Sequence, residues 1–236
     1  MIPDMRHPRT TELATLTWQQ ARSWASRAPL LAVPLGSTEQ HGPHLPLDTD
    51  TRVAAALAAG LARRRGDVLV APALPYGASG EHAGFPGTLS LGTAALEAVL
   101  VELVRSASDL CRSTVLVCGH GGNREAVDGA VLRLRAEGRR VLGWMASVPG
   151  GDAHAGRTET SLMLALRPAL VRRSRASAGD PRPLAELMPR LRAAGVAGVS
   201  ANGVLGDPSG AGAAEGERLL AALLDDLVAA VAAWDP

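Results

Sequence analysis

The sequence predicts an α/β fold: a mainly parallel sheet covered by helices on both faces. Three observations predict it. Short apolar runs closed by Gly or turn residues alternate with helix-patterned stretches, the signature of βαβ units. The composition is 47% hydrophobic, 20% charged and only 3% aromatic, which gives an aliphatic core of Ala, Leu and Val. A length of 236 residues fits one large domain or two small ones. With no repeat and no evident linker, residues 1–236 read as a single domain.

The elements follow in order. Leu30–Gly36 (LLAVPLG) is a short apolar run ended by Gly and reads as a buried strand. Residues Thr49–Arg65 repeat small apolar residues and end in arginines, as a helix does where cations meet its C-terminal dipole. Asp67–Leu74 is a second strand, followed by a Gly-rich loop over Tyr76–Thr88. A helix over 92–110 leads to a third strand, Ser113–Gly119, then a helix over Asn123–Gly138 and a fourth strand, Arg139–Met145. Helices over 183–194 and 212–234 close the chain, and Arg167–Pro183 reads as a surface loop or an oligomer contact.

Composition excludes several chemistries. Every one of the 24 basic side chains is arginine. Without lysine there is no Schiff base, no pyridoxal-phosphate attachment and no Walker-type phosphate loop. A net charge of +1 and so few rings argue against base-stacking nucleic-acid binding. Cys111 and Cys118 form no CxxC pair and read as buried free thiols of a reducing compartment. No signal-peptide pattern and no ~20-residue apolar run occurs, so the expected setting is cytoplasmic, with no membrane partner.

Ligands of open α/β sheets bind beyond the carboxyl ends of strands. Three predicted strand ends run directly into metal-type side chains. GSTEQHGPHLPLDTD holds Glu39, His41, His44, Asp48 and Asp50; GHGGN holds His120 and Asn123; PGGDAHAGRTETS holds Asp152, His154 and Glu159. With His82 in the GEHAG loop, these segments contain five of the six histidines; His7, near the terminus, reads as exposed. Glu39 and His41, at i and i+2, point to one side in extended backbone, so one can serve each of two metals. Asp50 can bridge the ions and His120 supplies a neutral nitrogen; this donor set suits Zn, Fe(II) or Mn better than Mg. Each residue also has an ordinary structural explanation. Glu39 can cap a helix, Asp50 can be an N-cap, Glu159 a capping-box acid, and Asn123 the N-cap of its helix. His44, between Pro43 and Leu45, is as readily structural as functional.

At these residues the match becomes specific. PLGSTEQHGPHLPLDTD, YGASGEHAGFPGTLSLG, GHGGN and HAGRTETS occur in the order of the creatininase family of metal-dependent amidohydrolases, and the chain resembles that family from Leu30 to Leu166. The resemblance implies a three-layer α/β/α subunit, a homo-oligomer (a hexamer or similar) and two divalent ions per subunit. Glu39 and His120 would bind one ion, His41 the other, and Asp50 would bridge. PGGDAHAG and Gly198–Leu220 also resemble one branch of the family. That branch hydrolyses the peptide bond before a modified C-terminal Val-Tyr unit of a ribosomally made precursor peptide.

Two departures stand out. The family's creatininase carries a metal-binding glutamate two residues after the histidine matching His120, where this chain has Gly122; Glu159, in the next site loop, is assigned to supply that ligand. Creatininase also closes over its substrate with tryptophans, whereas PGGDAHAG has only small residues after Trp144, an open mouth better suited to a peptide. The expected mechanism is attack of an activated hydroxide on the amide, with His154, matching a family catalytic histidine, and Glu159 as catalytic groups. Glu81 and His82 are candidates either to support the metal ligands from behind or to face substrate. The alternative substrates are a small cyclic amide or a formylamino-pyrimidine. Gly122 also leaves open a non-catalytic module that has lost the second ion.

Overall fold

The computed structural model describes residues 11–234; His7 lies outside them. Four strands, β1 (Leu30–Leu35), β2 (Val68–Val70), β3 (Ser113–Cys118) and β4 (Val141–Met145), form one sheet of order β2-β1-β3-β4. All neighbours are parallel, with Leu30 opposite both Val68 and Ser113, and Thr114 opposite Val141. Helices α1 (Trp18–Ala25), α2 (Thr49–Arg65), α3 (Thr93–Ala107), α4 (Arg124–Ala136), α5 (Arg157–Leu166), α6 (Leu184–Ala194) and α7 (Ala213–Trp234) complete it.

The strands read as continuous apolar runs because both faces are covered. From β1, Leu31, Val33 and Leu35 pack with Trp24 of α1, Leu96 and Leu100 of α3, and Ala130 and Leu134 of α4. Leu30 and Ala32 face the other way, onto Leu57 and Leu61 of α2, Leu162 of α5, and Leu223 and Leu227 of α7. Two cores on opposite sides of one sheet make the three-layer α/β/α sandwich. Cys111 and Cys118 lie buried and unpaired in the first core, where burial pushes both thiols up to about 12.

The structure differs from the sequence reading at three points. The second strand stops at Val70 instead of Leu74. Pro72 and Pro75 lack amide donors, so only isolated bonds continue the line, from Ala71 N to Ala32 O and Leu74 N to Pro34 O (both 2.9 Å). Helix α1 has no predicted counterpart, although Thr17 and Gln20 form a capping box at its start. The segment carrying Glu159 is not loop but the first turn of α5.

Helices α5 and α7 approach so closely that a Cβ at Gly216 would lie 1.9 Å from the Ser161 carbonyl. Gly216→Ala is therefore expected to separate the helices and cost about 2 kcal/mol, more than alanine's helix propensity returns. A lower urea midpoint with unchanged slope would show it; an unchanged midpoint would refute it.

Candidate metal centre

The strand order changes direction between β1 and β3: the chain passes from β1 to β2 on one side and reaches β4 from β3 on the other. The carboxyl ends of β1 and β3 thus form a switch point, where α/β sheets open a ligand crevice. Glu39, Gln40 and His41 follow β1, and His120 follows β3. Asp50 enters from the first turn of α2, favourable for a carboxylate at a helix N-terminus. Two glycines make that approach possible. A Cβ at Gly36 would lie 2.3 Å from the Thr51 Cα, and one at Gly119 would lie 2.5 Å from the Asp50 carbonyl.

Asp50 faces both ways. Its Oδ2 lies 3.2 Å from His120 Nδ1 and accepts from Ser37 Oγ (2.8 Å). Its Oδ1 lies 3.1 Å from His41 Nε2, which is itself 3.8 Å from Glu159 Oε2. On the other flank Glu39 Oε2 lies 3.2 Å from His120 Nε2. Two groups able to hold a metal result, Glu39–Asp50–His120 and His41–Asp50–Glu159, with Asp50 common to both; Glu39, His41 and His154 form a third, overlapping group. Glu39 is fully buried, yet neither carboxylate oxygen receives a hydrogen bond. A buried carboxylate in that state calls for a cation, so the residues fit divalent ions.

Electrostatics support the same reading. Burial raises Glu39 to about 7 against the pull of His120, and raises Glu159 to about 7 against that of His41. Burial alone would lower His41 and His120, but the carboxylates override it: Asp50 above all lifts His41 to about 10, and Glu39 with Asp50 lifts His120 to about 9. For Asp50, burial would raise the carboxyl, yet the two imidazoles hold it well below the ordinary range. Both histidines are therefore protonated in the metal-free protein at pH 7, and ion binding must expel those protons. Zinc titrations in buffers of different ionisation enthalpy are expected to show proton release, with apparent affinity rising as pH increases from 7 to 9. An affinity independent of pH would contradict this.

His154 is held by a residue without a sequence-level assignment. Its Nε2 donates to the Gln40 backbone carbonyl (2.8 Å), leaving Nδ1 bare, 3.9 Å from Glu39 Oε1 and 4.0 Å from Glu159 Oε2. Burial, reinforced by His41 and His82, keeps His154 neutral, well below its usual range. The Gln40 side chain accepts from Gly42 N (2.8 Å) and donates to Gly203 O (2.9 Å) and to His82 Nδ1 (3.0 Å). As the residue between Glu39 and His41, Gln40 points away from the metal side; that alternation was the available signal.

The other candidates separate cleanly. His82 is buried, lowered to about 3 chiefly by that burial, lies 3.3 Å from Glu39 Oε1 and lines the floor of the cleft. Glu81 lines the cleft. His44 is outside the site, bound to Thr160 Oγ1 at 2.8 Å. Asp152 caps α5, accepting from the amides of Arg157 and Thr158. Asp50 is not the N-cap of α2, a position Asp48 takes. Glu159 belongs to the His41–Asp50 group and makes no capping box: its Oε2 accepts from Ala155 N (2.6 Å), one residue before the N-cap Gly156 of α5.

Asn123 precedes α4 but caps nothing with its side chain. Instead it accepts from Ala78 N (2.8 Å) and donates to Gly36 O (2.9 Å), tying the Glu81 loop to the end of β1. Asn123→Ala would strand both buried backbone groups, an expected loss of about 3 kcal/mol in urea unfolding. A loss indistinguishable from zero would refute the tie.

Above the ligand groups lies a cleft of about 1330 Å³, bounded by the 146–153 loop, α6 and the start of α7. Among the described residues no Trp, Tyr or Phe lines it; Trp144 turns instead toward α7, its indole nitrogen donating to Asp226 (2.8 Å).

A parallel α/β sandwich with carboxylate–imidazole metal groups at its switch point defines a metallohydrolase-type site. The family model described as creatinine amidohydrolase matches residues 14–231, and the chain belongs to the creatininase family. The mycofactocin precursor peptide peptidase of Mycolicibacterium smegmatis is 54% identical over 92% of this chain and 90% of its own. The corresponding protein of Mycobacterium tuberculosis strain H37Rv is 52% identical over 98% and 94%. A mutant creatininase solved in a Zn-Zn form has a TM-score of 0.80 at 28% identity, covering 97% of this chain and 100% of that one. A manganese creatininase gives 0.79 at 29%, with the same coverage. The chain is thus a hydrolase of the kind that acts on C–N bonds, with residues able to hold metal ions. Among the described residues no helix is long and apolar enough to cross a membrane.

Proposed function

We propose that this chain is a metal-dependent peptidase that removes the modified C-terminal Val-Tyr unit of the mycofactocin precursor peptide, by hydrolysis of the peptide bond before Val. The observation that carries the reading is the pair of ligand groups sharing Asp50 at the floor of a wide cleft without aromatic walls. An extended peptide end fits such a cleft better than a small ring that needs enclosing. The similarity to relatives bearing that activity in their names supports the same substrate.

In this reading two ions per subunit, Zn, Fe(II) or Mn, are held by Glu39, Asp50 and His120 on one side and His41, Asp50 and Glu159 on the other. When bound, they polarise the scissile carbonyl and bring the pKa of water toward neutrality. The chain's own groups handle the protons. His154 Nδ1 accepts one from the attacking water while Nε2 stays on the Gln40 carbonyl. As the carbonyl carbon gains the water oxygen and the C–N bond breaks, the imidazolium returns that proton to the leaving amine. Glu159 keeps the start of α5, and with it the 154–156 turn, fixed to the metal side. Residues 1–236 act as a single domain, in the cytoplasm and as a homo-oligomer.

The test is incubation of the metal-loaded protein with the crosslinked precursor peptide, with mass-spectrometric detection of the released dipeptide-derived product. No cleavage with Zn(II) or reduced Fe(II), together with turnover of a small lactam or formylamino-pyrimidine, would replace this reading with the alternative substrates.

A further inference from the structure

Gln40 touches two imidazoles, and backbone groups of fixed polarity set which way its amide points. Gly42 N can only donate, so the atom it meets at 2.8 Å is Oε1. Gly203 O can only accept, so the atom it meets at 2.9 Å is Nε2. The second hydrogen of Nε2 goes to His82 Nδ1 at 3.0 Å. A ring nitrogen that accepts carries no proton, so His82 holds its proton on Nε2. The same residue sets His154 in the opposite sense, because His154 Nε2 donates to the Gln40 carbonyl (2.8 Å) and leaves Nδ1 bare.

The two remaining ring nitrogens look onto one place. His154 Nδ1 lies 3.9 Å and His82 Nε2 3.3 Å from the same Glu39 oxygen, Oε1, with the ring centres 4.5 Å apart. One of the pair can take a proton; the other can only donate a hydrogen bond. Among the described residues nothing accepts from His82 Nε2–H. Glu81 Oε1 is 3.9 Å away, and the Glu39 contact is not aligned as a hydrogen bond. The ring lines the cleft at the end of the Gly80–His82 turn, which is pinned by His82 N on Ser79 O (3.1 Å) and Val196 N on Glu81 O (2.8 Å). A nearly buried N–H without an acceptor is costly, and the side from which one can arrive is the cleft.

We propose that His82 is a catalytic residue whose Nε2–H donates a hydrogen bond to the scissile carbonyl oxygen as negative charge develops there, with Gln40 as its positioning residue. This rests on the amide hydrolysis proposed above. His82 keeps its proton throughout; the proton that passes from water to the leaving amine travels by His154. A donor whose tautomer is set in advance needs no reorganisation when the charge appears. Gln40 thereby equips one site with an acceptor and a donor from two side chains of the same type.

The test uses the full Zn(II)-loaded chain carrying nitrogen-15 histidine, with His82→Phe identifying the His82 signals among those of the six histidines. The parent is expected to show His82 protonated at Nε2 and bare at Nδ1; the reverse tautomer would overturn the proposal without any variant having to fold. With the crosslinked precursor peptide, His82→Phe is expected to lower kcat by ~10²–10³-fold, the usual loss of one oxyanion donor, at parental metal content. Gln40→Glu places an acceptor against His82 Nδ1, so it should move the proton to Nδ1 and lower kcat by a similar factor. An unchanged kcat in His82→Phe, or a raised KM alone, would overturn the catalytic role. Loss of metal in His82→Phe would overturn it too, making His82 a support of Glu39. A Gln40→Glu chain that keeps both the Nε2–H tautomer and the parental rate would remove Gln40 from its positioning role. If the parent leaves the peptide intact but turns over a small lactam, the substrate reading falls, and the spectra together with kcat on the lactam still decide His82.

Discussion

Asp50→Asn is expected to lose both metal ions and to lower peptide hydrolysis by on the order of 10³-fold or more, because unassisted water has lost its activation. The isostere keeps the volume at the first turn of α2 and can still accept from Ser37, so the fold should survive. What disappears is the negative charge between His41 and His120, the residue common to both ligand groups. Metal analysis of the purified variant by mass spectrometry, with unfolding as a control, measures this directly. Retention of about two ions per subunit would show that Asp50 does not bridge.

His154→Ala is expected to behave differently. The rate constant for hydrolysis should fall by about 10²–10⁴-fold, the usual contribution of a positioned acid–base group, while metal content stays that of the parent. His154 is neutral because burial, then His41 and His82, hold its pKa far down, and cations bound nearby would push it in the same direction. A base must be deprotonated to act, so parent activity falls only on the acid side of the ordinary imidazole range, and the variant should lose that limb. Loss of metal together with activity would move His154 into the ligand set, alongside Glu39 and His41.

Much of this site was legible before the structure because its parts follow strand ends. Glu39 and His41 could be paired by the period of extended backbone, and His120 stands just past an apolar run that could only be a buried strand. Asp50 was harder to place, since an acid near a helix start has an ordinary use as a cap; only the close approach permitted by Gly36 and Gly119 shows it between two imidazoles. The second strand was overextended because apolar pattern continues through Pro72 while hydrogen bonding does not. Asn123 and Asp152 exchange the roles their positions imply: the first ties two loops together, and the second caps a helix. Gln40, whose partners come from 42, 114 and 163 residues away in sequence, had no local pattern beyond its place between two ligands.

That place has a consequence for how the segment can change. In Glu39-Gln40-His41 the outer two side chains belong to the groups able to hold metal and the middle one hydrogen-bonds His82 and, through its backbone carbonyl, His154. Parity separates the two tasks: odd-numbered positions supply the ligand-type side chains and the even-numbered one orients the imidazoles of His82 and His154. A single-residue insertion or deletion here would exchange the tasks, putting an amide among the ions and an imidazole against Gly203. The tripeptide can therefore vary only as a unit.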